Sequence, residues 1–205
     1  PSDESTGVDV GILTFAALSD GTLIENPRPL ETARIEVERA QRKVSRRKRG
    51  SKRRAEARRL LAKAHAHVAN IRRDFHHKTA RELVRKYGRI AIEDLNIKGL
   101  ARGFLAKQVH DAGWGQFVTI LAGKAEDAAR TLVRVDPDGT SQECSGCDEV
   151  VHKELDERVH SCPFCKLVLD RDVNSARIIE WRAFAPPTET RPGRGRRRGA
   201  SNGNL

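Results

Sequence analysis

The sequence predicts an α/β protein with a long helical hairpin and an inserted four-cysteine zinc finger. Short stretches of alternating apolar residues, typical of strands, are separated by long stretches with apolar residues three and four positions apart, the period of amphipathic helices. Near the end of the 205-residue chain, two Cys-x-x-Cys pairs are separated by 14 residues. Such doubled pairs are typical of a zinc site.

Composition limits the class of protein. Hydrophobic residues make up 38% and charged residues 33% of the chain, and no apolar run approaches the ~20 residues of a membrane span. The start is polar and acidic, which argues against a signal peptide, so we expect a cytoplasmic protein. The chain begins with Pro1 and contains no Met, from which we expect a processed chain or a fragment.

Net charge indicates a polyanionic partner. The formal charge is +11, and the last twenty residues contain five Arg and one Glu. The remaining +7 therefore belongs to the body of the protein. Because phosphate contacts supply most of the non-specific affinity for nucleic acid, we expect such a partner rather than a merely well-solvated surface.

The first predicted strand covers residues 7–13. Val8, Val10 and Ile12 alternate on one face, and Asp9 lies on the other. An Asp-Gly turn at residues 19–22 leads to a second strand over 22–25. Considered alone, Asp9 is best interpreted as a turn residue at the end of a strand.

A helical hairpin is predicted at about residues 30–87. Pro29 opens the first helix, a break follows at 50–51, and Gly88 is the predicted C-terminal cap of the second helix. The residues predicted to form the buried stripes are Leu30, Ala33, Val37, Ala40 and Val44, then Leu60, Ala64, Val68, Ile71 and Phe75.

The tip of this hairpin is strongly basic. Residues 34–59 contain thirteen Lys or Arg and three Glu, without the alternation of sign usual on a solvated helix face. We interpret the tip as a contact for phosphate backbones, with a solvated helix end as the alternative. The predicted contact residues are Arg46, Arg47, Lys48, Arg49, Lys52, Arg53 and Arg54.

Residues 89–95 are predicted to form a strand that carries Glu93 and Asp94 near its end. Residues 100–113 are weakly patterned. A core helix then follows from Trp114 to Ala128, and another strand covers 131–135. A buried strand that ends in two acids suggests a site, although the acids also suit the start of the next loop.

Cys144, Cys147, Cys162 and Cys165 can surround one Zn²⁺ tetrahedrally. His152 and His160 are alternative ligands, but four thiolates close the coordination shell, so we predict a structural rather than a catalytic zinc. A redox role for the paired cysteines has less support. The segment 170–174 and a helix over 173–184 follow, and the Pro-, Gly- and Arg-rich residues 186–205 are predicted to be disordered.

Three acids come from a first strand, a later strand and a helix start. Carboxylates in this arrangement can hold two Mg²⁺, which prefer oxygen ligands, for phosphodiester hydrolysis. No single acid is specific, and the prediction depends on the order of the elements that carry them.

These stretches resemble the C-terminal half of TnpB proteins, which are encoded by bacterial and archaeal insertion sequences. The resemblance covers most of residues 7–181. The matching stretches are GVDVGILTFAALSDGTLIENPRPL, GSKRRAEARRLLAKAHAHVANIRRDFHHKTARELV, IAIEDLNIKGL, DAGWGQFVTILAGKAE, GTSQECSGC and CPFCKLVLDRDVNSARII.

The resemblance implies an RNase H-like (RuvC) mixed sheet interrupted by a zinc finger, in a family of RNA-guided DNA endonucleases. It implies that Asp9, Glu93 and Asp172 bind the catalytic Mg²⁺, with Asp172 preferred to Asp170 because it matches the Asp-x-Asn pattern. The implied partners are DNA and a guide RNA. The family usually has Gly where Asp148 and Lys166 stand, which predicts strained turns.

The resulting domain division is a nuclease core over 7–140, a zinc finger over 141–168, a last nuclease motif and helix over 169–185, and a tail over 186–205. The family's N-terminal recognition region has no counterpart in this sequence. A chain that binds nucleic acid without cutting it is therefore one alternative. A transposase that joins strands itself is another.

Overall fold

A mixed five-stranded sheet forms the centre of the computed structural model, which describes residues 3–154 and 157–185. The strands are β1 Ser5–Val10, β2 Thr14–Leu18, β3 Leu23–Glu25, β4 Arg89–Glu93 and β5 Thr131–Val135. The strand order is β3-β2-β1-β4-β5, with β1, β2 and β3 antiparallel and β1, β4 and β5 parallel. The α/β prediction is confirmed, whereas the predicted disorder of 186–205 concerns residues outside the described ranges.

Seven helices are present in the described residues. They are α1 Pro29–Thr32, α2 Arg34–Ser45, α3 Lys52–Lys86, α4 Ile97–Leu100, α5 Ala106–Ala112, α6 Trp114–Asp127 and α7 Arg171–Phe184. Helices α1 and α2 are separated by Ala33, and α3 is the 35-residue arm of the hairpin.

The two faces of the sheet pack against different helices, and this separation positions the site. Val8, Ile90 and Ile92 face the main core, where α3, α5 and α6 pack. Ala91 contacts Ile179 of α7 on the opposite face. Because successive side chains of a strand alternate between faces, the odd-numbered residues of β1 and β4 point toward α7.

Close contact between β1 and α7 requires a residue without a side chain at position 7. A Cβ at Gly7 would collide with the backbone carbonyl of Ala176. Two residues before Gly7, Ser5 Oγ donates a hydrogen bond to Glu180 Oε1, near the end of α7. Four residues after Gly7, a Cβ at Gly11 would lie 3.8 Å from Asp172 Oδ2, in the first turn of α7. The helix therefore crosses β1 in the antiparallel direction, with its first turn beside the carboxyl end of the strand.

The hairpin prediction is confirmed in outline, but the buried stripe of its second helix differs in part from the predicted one. Leu60 and Ile71 are 50% and 39% exposed. The buried residues of α3 are Ala57, Ala64, Val68, His76, Thr79, Ala80, Leu83 and Val84. Ala64 and Val68 are thus buried as predicted. The far half of α3 packs on the sheet and α6, and tertiary packing there selects a face that the apolar spacing did not indicate.

Three further details correct the sequence predictions. Gly88 does not adopt a left-handed cap conformation; α3 ends at Lys86, and the N–H of Gly88 donates to Glu4 O, which leads the chain into β4. Residues 14–18 form an unpredicted strand, β2. The weakly patterned segment contains α5, which ends at Gly113 in the left-handed conformation (φ 65°).

The cysteine segment forms a small separate sheet. Strands β6 Val159–Ser161 and β7 Val168–Asp170 pair antiparallel, and β7 leads directly into α7. In the described part of the chain, no helix is both long enough and apolar enough to cross a membrane.

Candidate functional site

Asp9 and Glu93 lie side by side on the face of the sheet that contacts α7. Strands β1 and β4 pair in parallel, with Gly7 opposite Ala91 and Val8 opposite Ile92. The next two positions in this register are Asp9 and Glu93. Neighbouring strands lie about 4.8 Å apart, so both carboxylates project from the same face at the carboxyl ends of the two strands.

Asp172 reaches the same place from the first turn of α7. Because Gly7 meets Ala176 and Gly11 approaches the Asp172 carboxylate, Asp9 lies between these two contacts along β1. The structure therefore brings Asp9, Glu93 and Asp172 together from two strands and a helix.

The mutual repulsion of these acids shows in the pKa of Asp9. Burial raises this pKa well above its usual value, and the charges of Glu93 and Asp172 raise it further, while Arg171 opposes them. Burial also raises the pKa of Glu93, against the opposing effects of a hydrogen bond from Thr140 and the charge of Arg182. A bound cation would relieve this accumulation of negative charge.

Asp170 and Asp172 have different surroundings. Asp170 Oδ1 caps α7 by accepting hydrogen bonds from the backbone N–H groups of Asp172 (2.8 Å) and Val173 (3.2 Å). The carboxylate of Asp172 instead lies 3.3 Å from Arg171 Nε and 3.9 Å from Arg158 Nη1. Asp170 is therefore the N-cap of α7 at the end of β7, whereas the carboxylate of Asp172 is left to interact with charged groups around the site.

The four cysteines form a compact cluster. Their sulfur atoms all lie within 4.8 Å of one another, and the Cys144–Cys165 and Cys147–Cys162 sulfur pairs are 3.6 Å apart. A tetrahedral zinc with Zn–S bonds of about 2.3 Å requires sulfur separations of about 3.8 Å. Within the described residues, this is the one group of three or more His, Cys, Asp or Glu side chains that is packed so tightly.

Each cysteine pair sits in a turn of the kind expected around zinc. The N–H of Asp148 donates to Cys144 O and the N–H of Lys166 to Cys162 O, both at 3.0 Å. Asp148 and Lys166 have φ values of 63° and 64°. Left-handed conformations disfavour residues other than glycine, so the predicted backbone strain at these two positions is confirmed.

The two histidines considered as alternative ligands are not members of the sulfur cluster. His160 is fully buried on β6, with Nδ1 2.7 Å from Lys153 Nζ. Burial and the charge of Lys153 lower the pKa of His160 to about 4, so the ring is neutral near pH 7.

The basic residues predicted to contact nucleic acid lie around the loop between α2 and α3. Arg46, Arg47, Lys48, Arg49, Lys52 and Arg53 are exposed. Arg54 is only partly exposed, and its Nη1 donates to Val44 O (3.0 Å) and Arg47 O (2.9 Å). Arg54 therefore holds the loop closed, which sets it apart from the other six.

Two buried side chains of the site were not predicted from the sequence. Thr140, which is 1% exposed, donates a hydrogen bond from Oγ1 to Glu93 Oε1. Asn174 is fully buried; its Nδ2 donates to Glu143 O (2.8 Å) and its Oδ1 accepts from Ser145 N (2.9 Å). The Asp-x-Asn pattern is the sequence signal that could have identified Asn174. Thr140 lies in a loop before the cysteines, and nothing in the sequence indicates that its partner is Glu93.

Two family models match the chain in tandem. Residues 1–103 match the family described as "Probable transposase" (OrfB_IS605), and residues 114–179 match "Cas12f1-like, TNB domain". The first match covers half of the chain, and the second includes the four cysteines and Asp172.

Curated relatives agree with the family models. A "Putative RNA-guided DNA endonuclease" of Streptomyces pristinaespiralis is 39% identical over 180 residues, which are 85% of this chain and 44% of the relative. The "Putative RNA-guided DNA endonuclease InsQ" of Escherichia coli is 29% identical over 196 residues, 87% of this chain and 49% of the relative. The chain thus spans about half the length of these relatives.

A solved structure supports the fold. The chain described in the "Cryo-EM structure of the Cas12f1-sgRNA-target DNA complex" superposes with a TM-score of 0.62 at 15% identity, over 85% of this chain and 49% of that one. Several further relatives are named "TnpB-like protein". From its motifs, the two family models and these relatives, the chain belongs to the TnpB family.

Proposed function

We propose that this chain is the Mg²⁺-dependent DNA endonuclease part of a TnpB protein, guided by RNA in the full-length protein. The fold proposed is RNase H-like, of RuvC type, and the observed strand order 3-2-1-4-5 with parallel β1, β4 and β5 supports it. We further propose the domain division given above, with a core over 7–140, a zinc finger over 141–168 and a last nuclease motif over 169–185.

The observation that carries the proposal is the convergence of Asp9, Glu93 and Asp172 at the carboxyl ends of two parallel strands. Ligands commonly bind at this edge of open α/β sheets. The residues present fit divalent metal ions, because three carboxylates offer hard oxygen ligands and because burial and mutual repulsion make them unfavourable as an uncompensated group.

A pair of Mg²⁺ at this site would supply the Lewis acid and the activated water for phosphodiester hydrolysis. The protein's own contribution is to hold three carboxylates on rigid elements at one face. Asp9 and Glu93 are fixed by the pairing of β1 with β4. Asp172 is fixed by the cap that Asp170 provides to α7.

Zinc is proposed to be structural. Four thiolates whose sulfur atoms all lie within 4.8 Å of one another, two pairs of them 3.6 Å apart, fit a closed tetrahedral shell. The N–H of Gly146 donates to Cys144 Sγ (3.4 Å), as the N–H of Cys165 does to Cys162 Sγ (3.5 Å). A closed shell leaves no position for substrate.

The nuclease proposal is tested with single-stranded labelled DNA and purified variants in Mg²⁺. Asp9→Asn, Glu93→Gln and Asp172→Asn each remove a metal ligand, which costs several kcal/mol of transition-state stabilisation, so we expect cleavage to fall by roughly 100-fold or more. Asp94→Asn is the matched control, because Asp94 is next to Glu93 but exposed and paired with Arg134 (3.2 Å). Equal rates for Asp9→Asn and the parent would refute the proposal.

The same assay separates the alternatives. The chain spans about half of its relatives, which motivates the alternative of a chain that binds nucleic acid without cutting it. For that alternative, a Mg²⁺ titration gives a complex and no products. The family description "Probable transposase" motivates a strand-transfer test on supercoiled DNA, where joined products would favour that activity over hydrolysis.

A further inference from the structure

The loop of residues 136–143 contacts the candidate acid site through Thr140, whose hydroxyl bonds to Glu93. It begins where β5 ends at Val135 and continues directly into Cys144. Arg182 of α7 holds both ends, since Nη1 donates to Asp136 O (2.8 Å) and Nη2 to Glu143 Oε1 (2.9 Å). The loop is therefore fixed against the helix that carries Asp172.

Thr140 is the side chain that this loop inserts beside the acids. Its Oγ1 lies within hydrogen-bonding distance of both Glu93 Oε1 and Pro137 O, the latter at 2.9 Å. The hydroxyl has one proton to donate. Pro137 O already accepts a hydrogen bond from the backbone N–H of Thr140 (3.3 Å). If the hydroxyl donates its proton to Glu93, both the carbonyl and the carboxylate therefore have a donor.

We propose that Thr140 is a positioning residue, which holds the Glu93 carboxylate in the orientation that binds the catalytic metal. This inference rests on the proposed role of Glu93 as a metal ligand. A glutamate side chain has three rotatable bonds, and a hydrogen bond to Oε1 fixes the carboxylate plane and directs Oε2 as the ligand atom. Groups that orient metal ligands in this way contribute about 10–100-fold to metal affinity.

A purely structural role for Thr140 would be to close the loop through Pro137. That role predicts a loss of stability without a specific loss of metal affinity. Valine has the shape of threonine without the hydroxyl, whereas serine keeps the hydroxyl. Comparing Thr140→Val with Thr140→Ser therefore separates the hydrogen bond from packing.

The test is calorimetric titration of Mn²⁺ into the zinc-loaded chain without nucleic acid. We expect Thr140→Val to weaken binding by about 10–100-fold, Thr140→Ser to stay within about threefold of the parent, and Glu93→Gln to lose the site. Melting temperatures are measured in parallel, and Thr140→Ala, expected to behave like the valine variant, serves if the valine variant does not fold. In cleavage, the valine or alanine variant should need more Mg²⁺ for the half-maximal rate and recover at saturating Mg²⁺.

The outcomes distinguish this inference from the proposed function. Binding by Thr140→Val equal to that of the parent overturns the inference and leaves the nuclease proposal intact, provided that Glu93→Gln has lost the site. Equal weakening by the serine and valine variants also overturns it, because the hydroxyl is then not the cause. Equal Mn²⁺ binding by Glu93→Gln and the parent overturns both.

Discussion

A single residue, Asp9, illustrates how a binding site can lower the stability of the folded protein. Its carboxylate is partly buried and faces two other acids, and burial and these charges raise its pKa. The folded protein therefore holds a proton at Asp9 more tightly than the unfolded chain does. An acid whose pKa is raised by folding contributes to the free energy of unfolding through its tighter proton binding. This contribution is fully present below the unfolded pKa of about 3.9 and is lost as pH rises through the folded pKa.

Replacing Asp9 with Asn should therefore stabilise the metal-free protein near pH 7.5, by roughly 0.5–2 kcal/mol, while abolishing cleavage. The gain should disappear toward pH 4, where the parent is protonated. Adding Mg²⁺ should stabilise the parent but not the variant, because ligands stabilise the state that binds them. Chemical denaturation with and without EDTA measures these differences. Asp94→Asn is the control, and an Asn variant less stable than the parent at pH 7.5 would contradict the argument.

The sequence predicted some of these residues and not others for a physical reason. Asp9 was placed opposite Val8 and Val10 by strand alternation alone, since that pattern is local. Thr140 and Asn174 act through partners 47 and 31 positions away in the chain, Glu93 and Glu143. Such pairings depend on the tertiary fold, which the spacing of residues does not reveal.

At the scale of elements, β5 was predicted with its exact bounds and β2 was missed. Between Thr14 and Ala16 the pairing of β2 with β3 shifts register, and Phe15 and Ala16 both enter the main core. An irregularity of this kind breaks the two-residue alternation that identifies a strand. In α3 the local pattern was helical, but the buried face changed along its 35 residues because its far half packs on the sheet and α6.

The loop between α2 and α3 provides a prediction at this scale. Changing Arg46, Arg47 and Arg53 together to Gln should weaken nucleic-acid binding several-fold and reduce the slope of log K against log[salt], since each lost phosphate contact reduces it by about 0.9 for duplex DNA. Arg54 stays unchanged because it holds the loop closed. Filter binding or fluorescence anisotropy across salt concentrations measures the slope.

A matched control carries the same charge change at the other end of α3, at Lys78, Arg81 and Arg85, which are exposed and lie far along the helix from the loop. If this control lowers the slope as much as the loop variant does, net charge rather than the loop accounts for binding.

At the scale of the whole molecule, Asn174 joins the cysteine segment to the core. Its side chain binds the backbone of Glu143 and Ser145, which flank Cys144, and it lies on α7 two residues after Asp172. The folded finger and the acid site are thus held by one helix. Because zinc binding supplies folding energy in such modules, the contribution of Asn174 should depend on zinc.

Asn174→Ala removes the hydrogen bonds that the Asn174 side chain makes with the N–H of Ser145 and the carbonyl of Glu143 in partly buried surroundings, so it should destabilise the zinc-loaded protein by about 1–3 kcal/mol. After chelation of zinc, the backbone of Glu143 and Ser145 is no longer held in a fixed conformation. The same substitution should then lower the free energy of unfolding by much less. Ser175→Ala is the control: Ser175 is equally buried, but its hydroxyl donates within α7 to Arg171 O (3.2 Å), so its effect should not change with zinc. The four free energies of unfolding form a cycle whose non-additivity measures the coupling. A cycle that closes without any coupling would mean that the cysteine segment and the five-stranded sheet with its helices are energetically independent.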